Sequence, residues 1–366
     1  MSGTWGNNIK LSIFGQSHGK AIGIVIDGLP AGIELNFDYI NNEMQRRAPG
    51  KNKISTPRKE SDEFDILSGY FNNKTTGTPL CAVIYNTNQH SKDYESIKNV
   101  MRPGHADYTG YIKYSGFNDY RGGGHFSGRL TAPLVFAGAV AKQILERKDI
   151  IIGSHIKSIG NINEEYFDWV NLKGEFLKEI VKKDFPVIDD EIGIKMKELI
   201  LKEKEEEDSV GGIVETAVIN FPVGIGSPFF NSIESKLAHI LFSIPAVKGV
   251  EFGAGFYITK MKGSEANDEF FIDEDKVKTY TNNNGGVLGG ITSGMPIIFR
   301  TAFKPTPSIG KVQKTVDISK RENIQINVTG RHDPCIVQRA VPVVEAACAV
   351  SLLDLVIERE GVKWII

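Results

Sequence analysis

The order of strand-like and helix-like segments is the feature that most restricts the fold of this chain. Strand-like segments at 9–14 and 21–27 follow one another directly, and a helix-like segment with a capping Asn36 comes next at 36–47. Later strands and helices do not alternate regularly either. A Rossmann or TIM-type parallel sheet needs a helical crossover between successive strands. We therefore expect an α+β fold, a layered β-α-β sandwich with antiparallel sheets around a helical core layer.

The rest of the chain predicts further elements of both kinds. Thr131–Arg147 has a proline at an early helical position and small residues on several faces, which favours a buried core helix. The charged segment 189–207 is typical of a helix with a solvated face. We also predict strands at 80–85, 150–159, 212–221, 252–258, 296–303 and 324–328, helices at 233–242 and 342–358, and a long irregular loop at 101–124. Neither a Pro- or Ser-rich linker nor a repeat divides the sequence, so we expect a single domain over residues 1–366.

Composition excludes several classes of function. Lys and Arg total 43 and Asp and Glu total 45, so the formal net charge of −2 provides no overall positive field for nucleic acid or an anionic membrane. The uncharged apolar segment 130–141 is too short to span a membrane. Three cysteines without a C-x-x-C spacing argue against a disulfide framework and a zinc site. Together with the polar N-terminal residues, these features predict a cytoplasmic protein with no bound metal.

Arginine and histidine concentrate in glycine-containing loops. Only 12 of the 43 basic residues are arginine, and none lies between 148 and 299. Four of the seven histidines occupy such loops: His18 in G-Q-S-H-G, His105 in R-P-G-H-A-D, His125 in R-G-G-G-H-F-S-G-R and His332 in G-R-H-D-P-C. Arginine binds carboxylate and phosphate through two parallel donors, histidine transfers protons near neutral pH, and glycine lets backbone N–H groups approach anionic oxygens. The combination predicts a site for a small, multiply anionic substrate.

Each of these loops also has a purely structural interpretation. A histidine beside glycine is more often a turn residue with local hydrogen bonds, so the case for a site depends on four loops of similar composition. The Gly122–Gly124 loop, followed by a helix start near Thr131, is suited to anion capture. It does not match the dinucleotide fingerprint, and the chain has no Walker A motif, no G-x-S-x-G elbow and no H-E-x-x-H helix.

The loops closely resemble the motifs of the chorismate synthase family, and the resemblance covers essentially the whole chain. Several long, unusual motifs occur in the right order, which makes a chance likeness very improbable. Besides the histidine loops they are D-Y-R-G-G-G at 119–124, R-R-A-P-G at 46–50, S-I-P-A-V-K-G-V-E at 243–251, N-N-G-G-V-L-G-G at 283–290 and K-P-T-P-S at 304–308.

The resemblance implies an anti-1,4-elimination of phosphate from 5-enolpyruvylshikimate 3-phosphate to give chorismate, in the shikimate pathway of aromatic amino-acid biosynthesis. It implies a requirement for reduced FMN (FMNH2) without net redox change, and a homotetramer. This substrate carries two carboxylates and a phosphate, which would explain arginine loops in a chain without overall positive charge. No additional domain for flavin reduction is evident, so we expect an external flavin reductase or other reductant rather than reduction by the chain's own use of NADPH.

The resemblance also implies roles for individual residues. His18 would be the acid that assists the departing phosphate, His105 the partner of the reduced flavin that helps set its protonation, and Asp333 the group that helps the flavin N5 take the C6 proton of the substrate. The implied substrate-binding residues are Ser17, Arg47, Arg102, Arg129 and Arg331. The implied flavin-binding residues are His125, Phe126, Ser127, Ala246, Gly289, Lys304, Pro305, Thr306, Pro307, Ser308 and Arg331, and the candidate NADP-binding residues are Arg47 and Lys53.

Three departures from the family pattern affect these assignments. Gln16 replaces the Glu commonly found before Ser-His-Gly, which removes a negative charge. Lys53 stands where many members have Arg, so a point charge replaces a planar fork. The segment H-F-S-G-R-L at 125–130 replaces the commoner R-S-S-A-R-E and loses both a basic and an acidic group.

Two other functions remain open on sequence alone. An FMN-dependent oxidoreductase would use the same cofactor but consume reducing equivalents. A noncatalytic protein that binds a phosphorylated metabolite would need the arginines but would have no use for His18, His105 and Asp333. His239, on a helix that the sequence predicts to lie in the core, is expected to affect stability rather than chemistry.

Overall fold

The computed structural model describes residues 3–50, 54–55, 60–87, 94–95, 97–328 and 333–365. Its strands are β1 (Thr4–Trp5), β2 (Lys10–Gly15), β3 (Ala21–Asp27), β4 (Ala31–Glu34), β5 (Asp65–Ser68), β6 (Tyr70–Phe71), β7 (Lys74–Thr76), β8 (Leu80–Tyr85), β9 (Ile151–Ile159), β10 (Ile162–Asn163), β11 (Gly212–Ile219), β12 (Val247–Phe252), β13 (Phe270–Asp273), β14 (Lys276–Thr279), β15 (Val287–Leu288), β16 (Ile291–Thr292), β17 (Ile297–Phe303), β18 (Gln313–Asp317) and β19 (Glu322–Ile326). Its α-helices are α1 (Phe37–Arg47), α2 (Asp107–Lys113), α3 (Thr131–Glu146), α4 (Gly174–Val181), α5 (Asp190–Glu205), α6 (Ile233–Leu241), α7 (Gly263–Ala266) and α8 (Val337–Glu360).

Two five-stranded antiparallel sheets form the outer layers. The first has the order β1-β2-β3-β8-β5, and the second has the order β10-β9-β11-β17-β12. In the first sheet β3 pairs with β2 on one side and β8 on the other, so Ile22 lies opposite both Gly15 and Ile84. Its alternate side chains Ile22, Ile24 and Ile26 are buried, as the period of a strand packed on a core requires.

Helices α3 and α8 lie between the two sheets. Helix α3 contacts β3 and β8 of the first sheet and β9 of the second, while α8 contacts α3, β9 and β11. A Cβ added at Gly138 would overlap with Ala346, so the backbones of the two helices approach closely at this point. One hydrophobic core runs through both sheets and this helical layer. The predicted α+β class and its β-α-β layering are confirmed.

Most predicted elements are found close to their expected bounds, and three are not. The helix expected at 342–358 begins at Val337, and Pro342 lies inside it, because Val337, Val341 and Val344 are buried and extend the core face toward its N-terminus. The strand expected at 252–258 is wrong: β12 ends at Phe252, Gly253 turns the backbone with a φ of 52°, and a short 3-10 helix follows at Gly255–Lys260. The loop expected at 101–124 contains α2.

Helix α8 is long and apolar enough to cross a membrane by length and composition. It is the one such helix in the described part of the chain, and its apolar stretch is entirely buried within the protein. A helix of a protein core passes the same test, and the position of α8 between two sheets accounts for its composition.

Candidate active site

A cleft of about 510 Å³ lies at the end of the helical layer where α1 ends and α3 and α8 begin. The residues that line it come from the β2–β3 loop, the loops on both sides of α2, the turns before α3, the segments before β12 and after β17, and the first turns of α8. Because α3 and α8 both begin here, their unpaired N–H groups and dipoles favour negative charge in the cleft.

His18 is nearly buried in the β2–β3 loop, with 6% of its surface exposed. Its Nδ1 lies 3.1 Å from the hydroxyl oxygen of Ser17, and its ring meets Tyr94 edge to face at 5.1 Å between centroids. The ring packs so closely on Gly122 that a Cβ there would overlap with it, and the φ of Gly122 is 62°. The glycine loop therefore fixes the position of the imidazole.

His105 is held in one neutral form by its two hydrogen bonds. Its Nδ1 lies 3.0 Å from the carbonyl oxygen of Pro103, which can only accept, so Nδ1 carries the proton. Nε2 then accepts from the hydroxyl of Ser308 at 2.8 Å. Burial, helped by the positive charges of Arg102 and Lys304, lowers the pKa of His105 to about 4. The ring is therefore uncharged at neutral pH.

Arg47 and Arg129 border the cleft and share one carboxylate. Asp62 accepts hydrogen bonds from Nε and Nη2 of Arg47 on one oxygen and from Nη1 of Arg129 on the other. Arg129 also lies 3.2 Å from Glu60 and donates from Nε to Asn86 at 3.2 Å. Although burial opposes ionisation, the two arginines hold the pKa of Asp62 below its usual range. Asp62 and the two arginines therefore form a charged cluster that is almost fully buried.

Arg102 is fixed by a two-pronged bond to Asp107. Its Nε and Nη2 each donate to one carboxylate oxygen at 2.7 Å, and Nη2 also donates to the carbonyl of Gly122 at 2.7 Å. The loop that carries it is tied to the segment after β17, because Lys304 donates to the carbonyl of Gly104 at 2.7 Å. These bonds fix the Arg102 guanidinium and hold the loop that carries His105 against the segment after β17.

Asp333 lies before the N-terminus of α8 and pairs with Arg339 of that helix. Nη1 of Arg339 donates to Asp333 at 2.6 Å, and Nε donates to the carbonyl of Arg47 at 3.1 Å. Arg339 therefore connects the predicted acid group on one side of the cleft with the end of α1 on the other.

The structure brings most of the predicted site residues to the cleft. Its lining includes Ser17, His18, Arg47, Arg102, His105, Phe126, Ser127, Arg129, Ala246, Lys304, Thr306, Pro307, Ser308 and Asp333. Three others are not among the lining residues. His125 donates from Nδ1 to the carbonyl of Gly15 at 2.9 Å, Pro305 lies between two lining residues, and Gly289 lies in the turn between β15 and β16. Lys53, Arg331 and His332 lie outside the described residues.

Sequence reasoning missed the acidic half of the site. It assigned no role to the carboxylates Glu60, Asp62 and Asp107, which contact arginines that it named, or to Arg339, which pairs with the predicted Asp333. The available signal was the physical need for counter-charges, because buried arginines are rarely tolerated without carboxylates. The segment E-S-D at 60–62 follows the arginine-containing end of α1 and was a candidate for that role.

The lining is suited to a ligand with both a flat apolar part and anionic groups. Ile244, Ala246, Phe303, Ala340 and Val343 form an apolar portion, while arginines and Lys304 supply charge elsewhere in the same cleft. This donor set fits a flavin phosphate. The described residues contain no group of three or more His, Cys, Asp or Glu side chains that could hold a metal ion.

Comparison with known proteins gives consistent matches. The chorismate synthase family model matches residues 9–357. Chorismate synthase of Methanocaldococcus jannaschii is 49% identical, with 97% of this chain and 96% of that protein covered, and the enzyme of Methanobrevibacter smithii is 48% identical, with 99% and 98% covered. A solved structure described as a crystal structure of chorismate synthase superposes with a TM-score of 0.75 at 29% identity, covering 98% of this chain and 96% of that chain.

Proposed function

Because the chain belongs to the chorismate synthase family, we propose that it catalyses the anti-1,4-elimination of phosphate from 5-enolpyruvylshikimate 3-phosphate, giving chorismate with a requirement for reduced FMN and no net oxidation. The family supports a lyase of aromatic biosynthesis that acts on a small molecule. The observation that carries the finer proposal is the cleft itself, which combines four arginines, two histidines and Asp333 with an apolar portion.

The arginines would bind the substrate's anionic groups. Arg47, Arg102 and Arg129 border one cavity, and each is held by at least one carboxylate. A guanidinium held on one edge keeps donors on its other edge for a carboxylate or phosphate, which it can bind with two parallel hydrogen bonds. Three such groups, with Arg331 as the proposed fourth, match a substrate with two carboxylates and one phosphate.

The flavin would occupy the apolar portion near Ala246 and the segment from Lys304 to Ser308. Lys304 and the hydroxyls of Ser127, Thr306 and Ser308 are among the polar groups of the lining that could contact it. Reduced FMN, when bound, supplies an electron-rich ring with a basic N5 that can accept the C6 proton of the substrate.

His18 is proposed to protonate the departing phosphate. Its ring is held by Ser17, Tyr94 and the Gly122 loop, so it cannot turn away from the cleft without displacing that loop. A positioned proton donor lowers the barrier for loss of a leaving group whose negative charge grows in the transition state.

His105 and Asp333 are proposed to act on the flavin side. The Nε2 lone pair of neutral His105 accepts from the Ser308 hydroxyl and so orients it. Because the ring is uncharged, it adds no positive charge next to a reduced flavin. Asp333 is oriented by Arg339 and would help the transfer of the C6 proton.

An anaerobic experiment tests the function. The protein is mixed with pre-reduced FMN and 5-enolpyruvylshikimate 3-phosphate, and chorismate, phosphate and flavin absorbance are followed together. We expect chorismate with an equal amount of phosphate and no net flavin oxidation. Stoichiometric flavin oxidation would instead support an FMN-dependent oxidoreductase, and binding without phosphate release would support a noncatalytic metabolite-binding protein.

We also propose that reduction of the flavin comes from an external flavin reductase or reductant in the cytoplasm. Aerobic turnover from oxidised FMN and NADPH, with no reductase added, would contradict this part of the proposal.

A further inference from the structure

Asp62 lies behind the two arginines that border the cleft and has no assigned role in the reaction. Its side chain is fully buried, and it is not among the residues that line the cleft, whereas Arg47 and Arg129 are. The carboxylate therefore contacts the guanidinium groups from the protein side and is not itself exposed to a ligand.

The bonds of Asp62 determine which donors of each arginine are used. One oxygen accepts from Nε and Nη2 of Arg47, and the other accepts from Nη1 of Arg129. Arg47 keeps Nη1, whose one hydrogen bond to a residue that the structure describes is to the Thr131 hydroxyl at 3.5 Å, too long for a strong bond. Arg129 keeps Nη2, which has no hydrogen-bond partner among the residues that the structure describes. Each arginine thus retains one terminal nitrogen for an anion in the cleft.

A single carboxylate between two guanidinium groups also fixes their separation. Two buried cations this close repel one another in a low-dielectric site unless a negative charge lies between them. Without that charge, the long arginine side chains would be free to turn toward other acceptors, and the arrangement that faces the ligand would be lost.

We propose that Asp62 is a positioning residue that holds Arg47 and Arg129 at the spacing and orientation needed to bind an anionic group of the substrate. This inference rests on the proposed function, because it takes 5-enolpyruvylshikimate 3-phosphate as the ligand. Asp62 acts through the arginines and does not touch the reacting atoms.

Asp62→Asn is the most informative variant. Asn is nearly the same size and tolerates the positive φ of 54° at this position, so the backbone is not strained. Its amide nitrogen would, however, place a donor against one of the two arginines. We expect the dissociation constant and KM for the substrate to rise roughly 10- to 100-fold, the range for loss of a charge-assisted hydrogen bond, while kcat and the dissociation constant for FMN change little.

Glu345→Gln is the matched control. Glu345 is also a fully buried carboxylate between two cations, Arg46 and Lys142, and Arg46 is the neighbour of Arg47 on α1. None of these three residues lines the cleft. Glu345→Gln should lower the free energy of unfolding without raising KM, which separates positioning from a general loss of stability.

Substrate and FMN binding are measured by calorimetry on wild type, Asp62→Asn, Asp62→Glu and Glu345→Gln, and turnover is measured under the anaerobic conditions above. Partial recovery of KM in Asp62→Glu, which keeps the charge, supports the inference. An unchanged substrate dissociation constant in folded Asp62→Asn, or an equal rise in Glu345→Gln, overturns it. If wild type binds the substrate without releasing phosphate, the proposed reaction fails while the binding data still decide the role of Asp62; if wild type does not bind it, both fail.

Discussion

At the scale of single residues, His18 gives the most direct test of chemistry. We expect His18→Ala to lower kcat by roughly 10²- to 10⁴-fold, because a proton donor to a leaving group acts mainly in the transition state. The dissociation constant for the substrate should change much less. Single-turnover kinetics with pre-reduced FMN, together with calorimetric substrate binding, separate the two effects.

His239→Ala is the control for His18, and the structure changes what it should do. The sequence predicted a core position, but the His239 side chain is on the exposed face of α6, which buries Ile233, Leu237 and Ile240 instead. We therefore expect neither a loss of turnover nor a loss of stability in His239→Ala. Equal turnover in both folded variants would remove His18 from the proposed chemistry.

His105 should make the stability of the protein depend on pH. Its pKa in the folded state is about 4, below the usual value of 6.5, because burial and nearby cations disfavour the charged ring. Between these values the unfolded chain binds a proton that the folded protein does not, so the free energy of unfolding falls as pH is lowered from 6.5 to 4. His105→Gln should remove this contribution.

Urea unfolding at pH 7.5 and pH 4.5 measures the effect. Wild type should lose more stability than His105→Gln between these two pH values, and the exposed His239→Gln should behave like wild type. Equal losses in wild type and His105→Gln would show that the ring is not held in its neutral form by the fold.

Replacing Arg129 tests whether the arginines that border the cleft bind the anionic groups of the substrate. Lysine has one compact ammonium group, which cannot reproduce the separate nitrogens with which Arg129 contacts Asn86, Asp62 and a substrate anion, so Arg129→Lys should weaken substrate binding by about 1.5–3 kcal/mol. FMN binding should change much less. Arg359→Lys is the control, because Arg359 is half exposed and pairs with Glu360. Unchanged substrate affinity in folded Arg129→Lys would exclude it from the site.

The basic half of the site was predicted at this scale, and the acidic half was not. Arginines are few in this lysine-rich chain, so their concentration in glycine loops carried information. Acidic residues are numerous, so composition alone did not distinguish Asp62 or Asp107 from the many carboxylates that face solvent, and the position of E-S-D after the arginines of α1 was the signal left unused. Their role depends on which arginines the fold places beside them.

At the scale of elements, the site depends on close packing between α3 and α8. A Cβ at Gly138 would overlap with both the Cβ and the Cα of Ala346. Alanine is favoured over glycine in a helix by about 1 kcal/mol, but overpacking a core costs typically 1–3 kcal/mol, and here the added Cβ meets backbone that cannot turn aside. We expect Gly138→Ala to lower the free energy of unfolding by about 1–2 kcal/mol.

Because α3 and α8 both begin at the cleft, separating them should also weaken substrate binding. Gly263→Ala is the control, since a Cβ at Gly263 meets nothing within 4 Å. Denaturant unfolding and substrate calorimetry on both variants check the prediction. Unchanged stability in Gly138→Ala would show that the two helices are not in the close contact described above.

Elements were predicted well where local pattern and tertiary packing agree. The strand Leu80–Tyr85 and the helix that follows the Asn36 cap occur where the residues indicate them, and Asn36 accepts from the N–H of Tyr39 at 3.0 Å. The start of α8 was wrong, because proline is usual in the first turn of a helix and Pro342 instead lies six residues along it. Core packing outweighed the local preference.

At the scale of the whole molecule, exposed aromatic residues support the homotetramer that the family resemblance implies. Phe229, Phe230 and Phe256 each expose more than four fifths of their surface. Exposed aromatic side chains that lie together mark interaction surfaces, and the rings of Phe229 and Phe230 are neighbours, with 6.4 Å between centroids. We expect light scattering to give a mass close to four chains, and Phe229→Asp with Phe230→Asp to reduce it. A monomeric mass for wild type would contradict the tetramer.

The central position of α8 also has a consequence for synthesis of the chain. The first sheet is built from residues between Thr4 and Tyr85, and the second is closed by β17, yet both rest on a helical layer whose longest member starts only at Val337. A ribosome adds about 5–20 residues per second, so the inner face of the first sheet stays uncovered for roughly 10 s or more before this helix is made, and that of the second sheet for roughly 2 s or more. During that interval the nascent chain presents apolar strand faces, and it should depend on chaperones more than a protein of equal size whose core is filled by neighbouring segments.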